Sequence, residues 1–280
     1  MDPRLTAFLA IILTLSFGTA YSALYGTYLD TSNPLLSHLP HPLHGSHYFA
    51  SKDNFLNVYF IKKAWAWTSA AFCMLVLSSP ETRIGERLSK FFVATASWML
   101  FTSWFFGPPM LERLLVATGG ECVLVSPDAT SYITVPVEYC NSKALLSPET
   151  HPDLFASTTA STQWATARPR LRRGHDVSGH IFLLTMSALF LADQLRSRNW
   201  SIRSKGVVSR EVASAATVAL ISIWMFAIYT TGVYFHSPLE KFTGFLIGLA
   251  SFTLTQVLPG LVNPDGPPAA ERTITGVKVQ

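Results

Sequence analysis

Two short polar clusters, each built around histidine, interrupt apolar stretches of the chain. The first runs from Gly174 to His180 and reads Gly-His-Asp-Val-Ser-Gly-His; the second runs from His236 to Lys241 and reads His-Ser-Pro-Leu-Glu-Lys. Ionisable groups at the ends of membrane helices are costly unless they carry a function. If both clusters lie on one side of the membrane, they can form a single active site.

The histidines of these clusters each have a carboxylate four residues away. Glu240 follows His236, and the two can meet on one face if a helix begins there with Pro238 in its first turn. A carboxylate beside an imidazole fixes the tautomer and makes the ring a nucleophile or a base. His180, four residues after Asp176, then serves as the general acid.

Several neighbouring groups suit a phosphate ligand. Ser178 and Gly179 permit a tight turn before a helix whose free N–H groups and partial positive charge favour phosphate. Arg172, Arg173 and Lys241 add cationic donors, and Asp176 of the first cluster joins this predicted substrate-binding set. Such an arrangement fits phosphoryl transfer that requires no metal and no cofactor. The competing interpretation is that these residues only cap helices or anchor them to lipid headgroups.

Composition indicates how these clusters are positioned. Of the 280 residues, 49% are hydrophobic and only 14% are charged, whereas a soluble domain carries about 25% charge. This favours an all-α polytopic membrane protein, and no basic, aromatic-rich helix points to nucleic acid. Six runs are about the ~20 residues that a spanning helix needs. They are residues 6–23, 61–77, 91–106, 181–195, 212–235 and 242–261.

The distribution of Lys and Arg predicts the orientation. The long loop 108–178 is left out of the comparison, because long loops contribute little to orientation. In the remaining short segments, most Lys and Arg residues lie on the same side of the membrane as the two termini, for example Arg4, Arg87 and Arg196. The positive-inside rule then makes both termini cytoplasmic and both histidine clusters luminal. The sequon at Asn199 should carry no glycan, because it lies in a predicted cytoplasmic loop. A cleaved signal peptide is the alternative for the first run.

The predicted membrane domain comprises residues 1–262, and a tail of residues 263–280 follows it. One long loop of the domain lies outside its spans. The luminal loop 108–178 contains Cys122 and Cys140, which can pair if the loop lies in an oxidising compartment. We expect this loop to pack over the luminal end of the helices. Residues 263–280 are expected to form a flexible cytoplasmic tail.

Five stretches of the chain resemble the fat storage-inducing transmembrane (FIT) family, in a fungal-type version. They are residues 48–54 (Tyr-Phe-Ala-Ser-Lys-Asp-Asn), 57–63 (Asn-Val-Tyr-Phe-Ile-Lys-Lys), 65–68 (Trp-Ala-Trp-Thr) and the two histidine clusters. The resemblance extends from about Tyr48 to Leu249. It implies a six-span protein of the endoplasmic reticulum that supports lipid droplet formation, phospholipid biosynthesis and membrane homeostasis. It also implies an acyl-CoA diphosphatase that produces acyl 4′-phosphopantetheine and adenosine 3′,5′-bisphosphate.

That family is in turn similar to the type 2 phosphatidate phosphatase superfamily of membrane lipid phosphatases. The second motif of the superfamily, Ser-Gly-His, matches residues 178–180. Its third motif, Ser-Arg-x5-His-x3-Asp, matches at His236, with Glu240 in place of aspartate and Tyr229 and Thr230 in place of Ser-Arg. The resemblance implies a nucleophilic His236 oriented by Glu240.

The cationic part of the superfamily motifs is missing. The first motif, Lys-x6-Arg-Pro, would place its lysine at Ser161 before Arg168-Pro169. Arg172, Lys62 and Lys63 therefore join Arg173 and Lys241 only as candidates for binding phosphate.

Two other functions fit the same pattern. The chain can be a non-catalytic protein that binds neutral lipids such as diacylglycerol and triacylglycerol and organises lipid droplets. It can also be a phosphatase that acts on phosphatidate. The first alternative predicts that His180 and His236 are dispensable, and the second predicts release of inorganic phosphate from phosphatidate.

Overall fold

The computed structural model describes residues 2–29, 35, 39–78, 84–103, 108–128, 130–156, 164, 166–196 and 209–262. Among these residues, the helices are α1 (Pro3–Tyr25), α2 (Ala64–Leu77), α3 (Ile84–Thr102), α4 (Met110–Ala117), α5 (Val137–Ser142), α6 (Pro152–Phe155), α7 (Gly179–Leu195), α8 (Arg210–Tyr234) and α9 (Pro238–Val262). The strands are β1 (Glu121–Val125), β2 (Tyr132–Val135) and β3 (Arg170–Arg172). The Asn199 sequon and the predicted tail 263–280 lie outside the described part of the chain.

The centre of the bundle is α7. Its sequence is apolar on all sides, and nearly every residue from Ile181 to Gln194 is buried. A helix that is hydrophobic all round is stable only where neighbours cover every face. Here α1, α2, α3, α8 and α9 surround it. The first turn of α7 therefore lies at one end of the bundle, where the predicted site residues cluster.

Glycines allow the closest helix contacts. A Cβ atom at Gly244 of α9 would lie 2.6 Å from the carbonyl oxygen of Ser178, and one at Gly248 would lie 2.7 Å from that of Phe182. This Gly-x-x-x-Gly face lets α9 approach the backbone of α7, as small residues do between membrane helices. Because these contacts begin at Ser178, they hold the starts of α7 and α9 side by side.

The prediction of six spans is confirmed only in part. Four helices in the described residues are long and apolar enough to cross a membrane, and they cover residues 3–25, 56–77, 210–234 and 238–260. The run predicted at 181–195 is the shorter apolar helix α7. The run predicted at 91–106 corresponds to α3, which begins earlier at Ile84 and has the charged Glu86 in its first turn.

Residues before α2 are not regular α-helix. The chain forms a 3₁₀ turn at Tyr48–Ala50, a π-helical turn at Leu56–Phe60 and another 3₁₀ turn at Ile61–Lys63. Asn54 and Asn57 are buried there, and the Asn54 Oδ1 accepts a hydrogen bond from the backbone N–H of Asn57. Short π-helical turns are often found at functional sites.

The loop 108–178 contains a small sheet that the sequence did not predict. Its antiparallel strands are ordered β2-β1-β3, and Cys122 pairs with Cys140 in a disulfide bond 18 residues apart. Cys122, Leu124, Val135, Leu146 and Phe155 form its own apolar cluster. The possible disulfide is thus formed, and the sheet ends at Arg172, close to the first histidine cluster.

The other end of the bundle is closed by buried charges. The carboxylate of Asp193, near the end of α7, lies 2.9 Å from Lys90 Nζ and 3.6 Å from Arg4. Arg87 donates a hydrogen bond to Gln194 at 2.9 Å. Asp193 is thirteen residues from His180 on the same helix, or about 20 Å. This network ties α1 and α3 to α7 far from the histidines.

Candidate active site

His236 occupies a strained backbone position between α8 and α9. Its φ angle is 61°, in the left-handed region that costs most residues about 1–2 kcal/mol. The preceding residue, Phe235, is held by a bridge to Leu29, and Leu29 N–H donates to the carbonyl oxygen of Tyr234. Strain of this kind persists only where surrounding contacts fix it, and it is concentrated at functional sites.

Glu240 approaches His236 as predicted, but by a different geometry. His236 lies before α9 rather than on it, and its Nδ1 is 3.5 Å from Glu240 Oε2. The same Oε2 accepts a 2.7 Å hydrogen bond from the backbone N–H of Ser237, whose Oγ in turn accepts from the Glu240 N–H. This is a capping box, which fixes the carboxylate beside the imidazole.

Asp176 faces His236 rather than His180. The sequence spacing suggested a pair on one helix, but α7 begins only at Gly179, so Asp176 is outside the helix. Its carboxylate lies 4.0 Å from His236 Nδ1, and its N–H donates to Glu240 Oε1. Burial, together with the negative charge of Glu240, raises the pKa of Asp176, while His236 opposes this. Both acids therefore flank one histidine.

His180 lies in the first turn of α7, next to this group. Burial, followed by the nearby charges of His236 and of Lys62 at the start of the second candidate span, lowers the pKa of His180 to about 4. Ser178 caps the helix: its Oγ accepts from the Ile181 N–H, and its own N–H donates to the carbonyl oxygen of Glu240. The two predicted histidine clusters are thus joined directly, as the sequence analysis required.

Gly179 and the starts of α7 and α9 complete the polar end of the bundle. Gly179 opens α7, and a Cβ atom there would only touch the side chain of Leu111. The start of α7 carries a partial positive charge, whereas at the start of α9 Pro238 has no N–H and the Ser237 and Glu240 N–H groups are bonded within the capping box. This favours an anion at the start of α7.

Arg172 lies near the carboxylates, together with a lysine that the sequence analysis did not select. Arg172 is half-buried at the end of β3, where burial and then Arg170 lower its pKa. Lys52 is solvent-exposed but interacts electrostatically with Arg172, Arg170 and Asp176, and partial desolvation followed by the two arginines lowers its pKa. Cations that repel one another near one point are stabilised by a bound anion.

Two predicted phosphate donors are engaged elsewhere. The side chain of Arg173 is half exposed, and it forms an ion pair with Glu121 at 3.1 Å. Lys241 is only 1% exposed and donates to Ser22 Oγ at 2.8 Å and to the carbonyl oxygen of Gly232 at 2.6 Å. Lys241 thus ties α9 to α1 and caps the last turn of α8, while it still interacts electrostatically with the adjacent Glu240.

His175, in the same cluster as Asp176 and His180, forms hydrogen bonds to other segments of the chain. Its Nε2 contacts Thr243 Oγ1 at 2.8 Å, and its backbone N–H donates to Thr118 Oγ1 at 2.8 Å. These bonds attach the loop before α7 to α9 and to the end of α4. His175 therefore positions the loop that carries Asp176.

The sequence contained signals for the position of His236 before α9 and for the involvement of Lys52. Ser237-x-x-Glu240 has the spacing of a capping box, which would have placed His236 outside the helix. Lys52 stands in one of the stretches that carry the family resemblance, but only the folded chain shows that it approaches Asp176.

Comparison with known proteins matches the chain to one protein family. A family model described as "Fat storage-inducing transmembrane protein" matches residues 45–216 and 203–256. Acyl-coenzyme A diphosphatase fit1 of Schizosaccharomyces pombe is 28% identical over 212 residues, covering 75% of this chain and 73% of that protein. Acyl-coenzyme A diphosphatase FITM2 is 27% identical in Xenopus tropicalis (80% of this chain, 77% of that protein) and 29% identical in Homo sapiens (73% and 70%). No solved structure matches the chain.

Proposed function

Because the chain belongs to the fat storage-inducing transmembrane (FIT) family, we propose that it is an acyl-CoA diphosphatase with His236 as its nucleophile. It hydrolyses the diphosphate of fatty acyl-CoA to acyl 4′-phosphopantetheine and adenosine 3′,5′-bisphosphate. The names of the fit1 and FITM2 relatives support this activity. The protein is an integral membrane enzyme, and its substrate is an amphiphile of the lipid phase.

One observation carries the assignment of the nucleophile. His236 Nδ1 faces two carboxylates, Glu240 at 3.5 Å and Asp176 at 4.0 Å. A proton on Nδ1 is stabilised there, which leaves Nε2 as the lone-pair nitrogen. The 3.5 Å separation is longer than a hydrogen bond, and such contacts often shorten when substrate binds.

The first step forms a bond between His236 Nε2 and a phosphorus of the diphosphate. The bridging P–O bond breaks, and the leaving phosphate takes a proton from His180, which is protonated in the substrate complex because the negative charge of the bound diphosphate offsets the low pKa of this histidine in the free protein. The imidazole becomes positively charged, and Glu240 and Asp176 stabilise that charge. The product of this step is a phosphoramidate on His236.

The second step regenerates the enzyme. His180, now neutral, removes a proton from water, whose oxygen attacks the same phosphorus while the P–N bond breaks. Each acid–base role contributes about 10²–10⁴ in rate.

Binding of the phosphates is assigned to Arg172 and Lys52, together with the N-terminal turn of α7. The positive charges of Arg172 and Lys52 repel each other, and a bound phosphate relieves this repulsion. Ser178 and Gly179 shape the turn that presents the α7 backbone. Asp176 acts through His236 and the backbone of its loop, rather than by binding phosphate.

The protein is assigned to the endoplasmic reticulum membrane, with both termini cytoplasmic and the site luminal. The excess of Lys and Arg near the termini supports this orientation. The disulfide between Cys122 and Cys140 in the loop 108–178 supports an oxidising compartment on the site's side.

The activity is tested with purified wild-type protein and the variants His236→Ala, His180→Ala and His151→Ala. His151 is a matched control, because it lies in the loop 108–178 and contacts Thr150. Each is given oleoyl-CoA and phosphatidate, and products are identified by mass. We expect cleavage of oleoyl-CoA that only the first two variants lose. Undiminished cleavage by His236→Ala would overturn the mechanism, and release of phosphate from phosphatidate alone would favour the phosphatase alternative.

A further inference from the structure

An apolar groove of about 510 Å³ lies between α8 and the irregular segment before α2. Four aromatic rings from residues 48–60 form one wall. Ser222, Ile223 and Phe226 of α8 form the other. Phe49 and Phe226 are in edge-to-face contact, with ring centroids 5.1 Å apart. Its size is in the range of small-molecule sites, which hold ligands mainly by apolar contacts.

The groove lies at membrane depth. Ser222 and Phe226 are in the middle of α8, a candidate span of 25 residues. Phe226 precedes His236 by ten residues, which is about 15 Å along the helix axis. A ligand can therefore have a polar group at His236 and an apolar chain in the groove.

The segment that lines the groove also reaches the polar site. Lys52, between Phe49 and Phe55, interacts electrostatically with Asp176 and Arg172. Lys62, just after Phe60, interacts with His180. One short stretch of chain therefore forms a wall of the groove and provides cations to the site, and it includes the π-helical turn at Leu56–Phe60.

We propose that this groove binds the fatty acyl chain of the acyl-CoA substrate, an inference that rests on the proposed diphosphatase function. In acyl-CoA, the pantetheine arm separates the diphosphate from the thioester. When extended, this arm is about as long as four or five residues of extended chain, or about 15 Å. This length matches the distance between His236 and Phe226, so the arm reaches from the site to the groove.

The chemistry of the lining favours an acyl chain over other parts of the substrate. The lining has two hydroxyl groups: that of Ser222 donates to the carbonyl oxygen of Val218, and that of Tyr48 accepts from the Phe55 N–H. An adenine or a pantetheine amide would leave its polar groups unpaired there, which is costly. The phosphates and the adenosine are therefore placed at the polar end.

The test is the dependence of cleavage on acyl-chain length. Wild-type protein, Ser222→Trp and Ser222→Leu are given saturated acyl-CoA from four to eighteen carbons, and kcat/KM is measured for each. Ala215→Trp is the matched control, since Ala215 is also exposed on α8 but is two turns away from Ser222. His236→Ala is included to test the chemistry itself.

We expect kcat/KM of the wild type to rise with chain length and Ser222→Trp to flatten this rise, with a loss of about tenfold for the longest chains. Ser222→Leu should give a smaller loss, and Ala215→Trp should behave as the wild type. Equal losses for all chain lengths, or no loss in either Ser222 variant, would overturn the groove assignment. Full activity of His236→Ala would instead refute the proposed chemistry, whatever the chain-length dependence.

Discussion

Replacing Glu240 by glutamine removes the charge beside His236 while keeping the shape of the side chain. The carboxylate oxygen is 3.5 Å from His236 Nδ1, and the side chain is only 7% exposed. At this distance, two unit charges interact by about 5 kcal/mol for an effective dielectric constant of 20. Asp176 remains as a second carboxylate, so we expect a loss of about 3–4 kcal/mol of transition-state stabilisation, or about 10²–10³ in kcat.

The same change should leave substrate binding almost unaltered and lower stability only slightly. The Glu240 carboxylate is buried and accepts hydrogen bonds from the Ser237 and Asp176 N–H groups, so the loss is expected in kcat rather than in KM. Glutamine can still accept the hydrogen bond from the Ser237 N–H, because a capping box accepts Glu or Gln, but its single oxygen cannot also accept from the Asp176 N–H, which should lower the free energy of unfolding by about 1 kcal/mol. Glu240→Ala loses the cap as well, which should destabilise the fold by about 1 kcal/mol.

The assay is steady-state cleavage of oleoyl-CoA, with thermal unfolding measured on the same samples. Glu138→Gln is the control, because this exposed glutamate in α5 is far from the histidines in sequence and structure. A Glu240→Gln protein with kcat within threefold of the wild type would refute the role of Glu240. A rise in KM with an unchanged kcat would assign it to substrate binding instead.

Four further predictions follow from individual contacts. Asp176→Asn should reduce kcat. It should nevertheless stabilise the fold at neutral pH by about 0.5 kcal/mol, a small value because the side chain is 40% exposed and solvent screens its charge. The raised pKa means that the ionised form disfavours folding, so unfolding scans should show the gain disappearing as acid protonates the wild-type carboxyl. Lys241→Met should lower the free energy of unfolding by about 1–3 kcal/mol, because it removes the hydrogen bond to Ser22 Oγ and leaves the Gly232 carbonyl without its donor; an unchanged Tm would contradict a stabilising role for these two bonds. Gly244→Ala should displace Ser178 and reduce kcat, whereas Gly260→Ala, which has open space around it, should match the wild type in the same assay. Replacing both Cys122 and Cys140 by serine should destabilise the loop 108–178 by about 3 kcal/mol, seen as faster proteolysis there, and equal proteolysis would argue against the crosslink.

The sequence predicted the helical bundle well where hydrophobicity alone decides the structure. Four of the predicted runs correspond to helices long and apolar enough to span a membrane. The others show the limits of that signal. α7 is only 17 residues long and is covered by protein on nearly all sides, and α3 starts in a charged segment. Burial within a bundle and insertion in lipid select similar residues, so composition does not separate them.

The site was predicted by residue type better than by geometry. The meeting of His236 with Glu240 is confirmed, but it depends on a left-handed residue and a capping box rather than on helical spacing. The prediction that helical spacing pairs Asp176 with His180 was wrong, because α7 begins at Gly179 and Asp176 lies before it. The small sheet was missed, since its strands of three to five residues are too short to show a clear alternation.

The phosphate-binding cations show why sequence distance misleads. Lys241 is adjacent to Glu240 in the chain, but its side chain runs to α1 and α8. Lys52 is more than a hundred residues from Arg172, and the fold brings their charges into interaction. Long-range placement of this kind is a property of packing and has no local sequence signal.

Trapping the covalent intermediate tests the nucleophilic role of His236 most directly. In His180→Ala, the phosphate leaving group still departs readily, whereas the water that should release the intermediate has lost its base. After mixing with oleoyl-CoA and an alkaline quench, intact mass and peptide mapping should show a substrate-derived adduct on the His236 peptide. The adduct should be absent from the His180→Ala/His236→Ala double variant. An adduct on another residue, or one that persists in the double variant, would contradict His236 as the nucleophile.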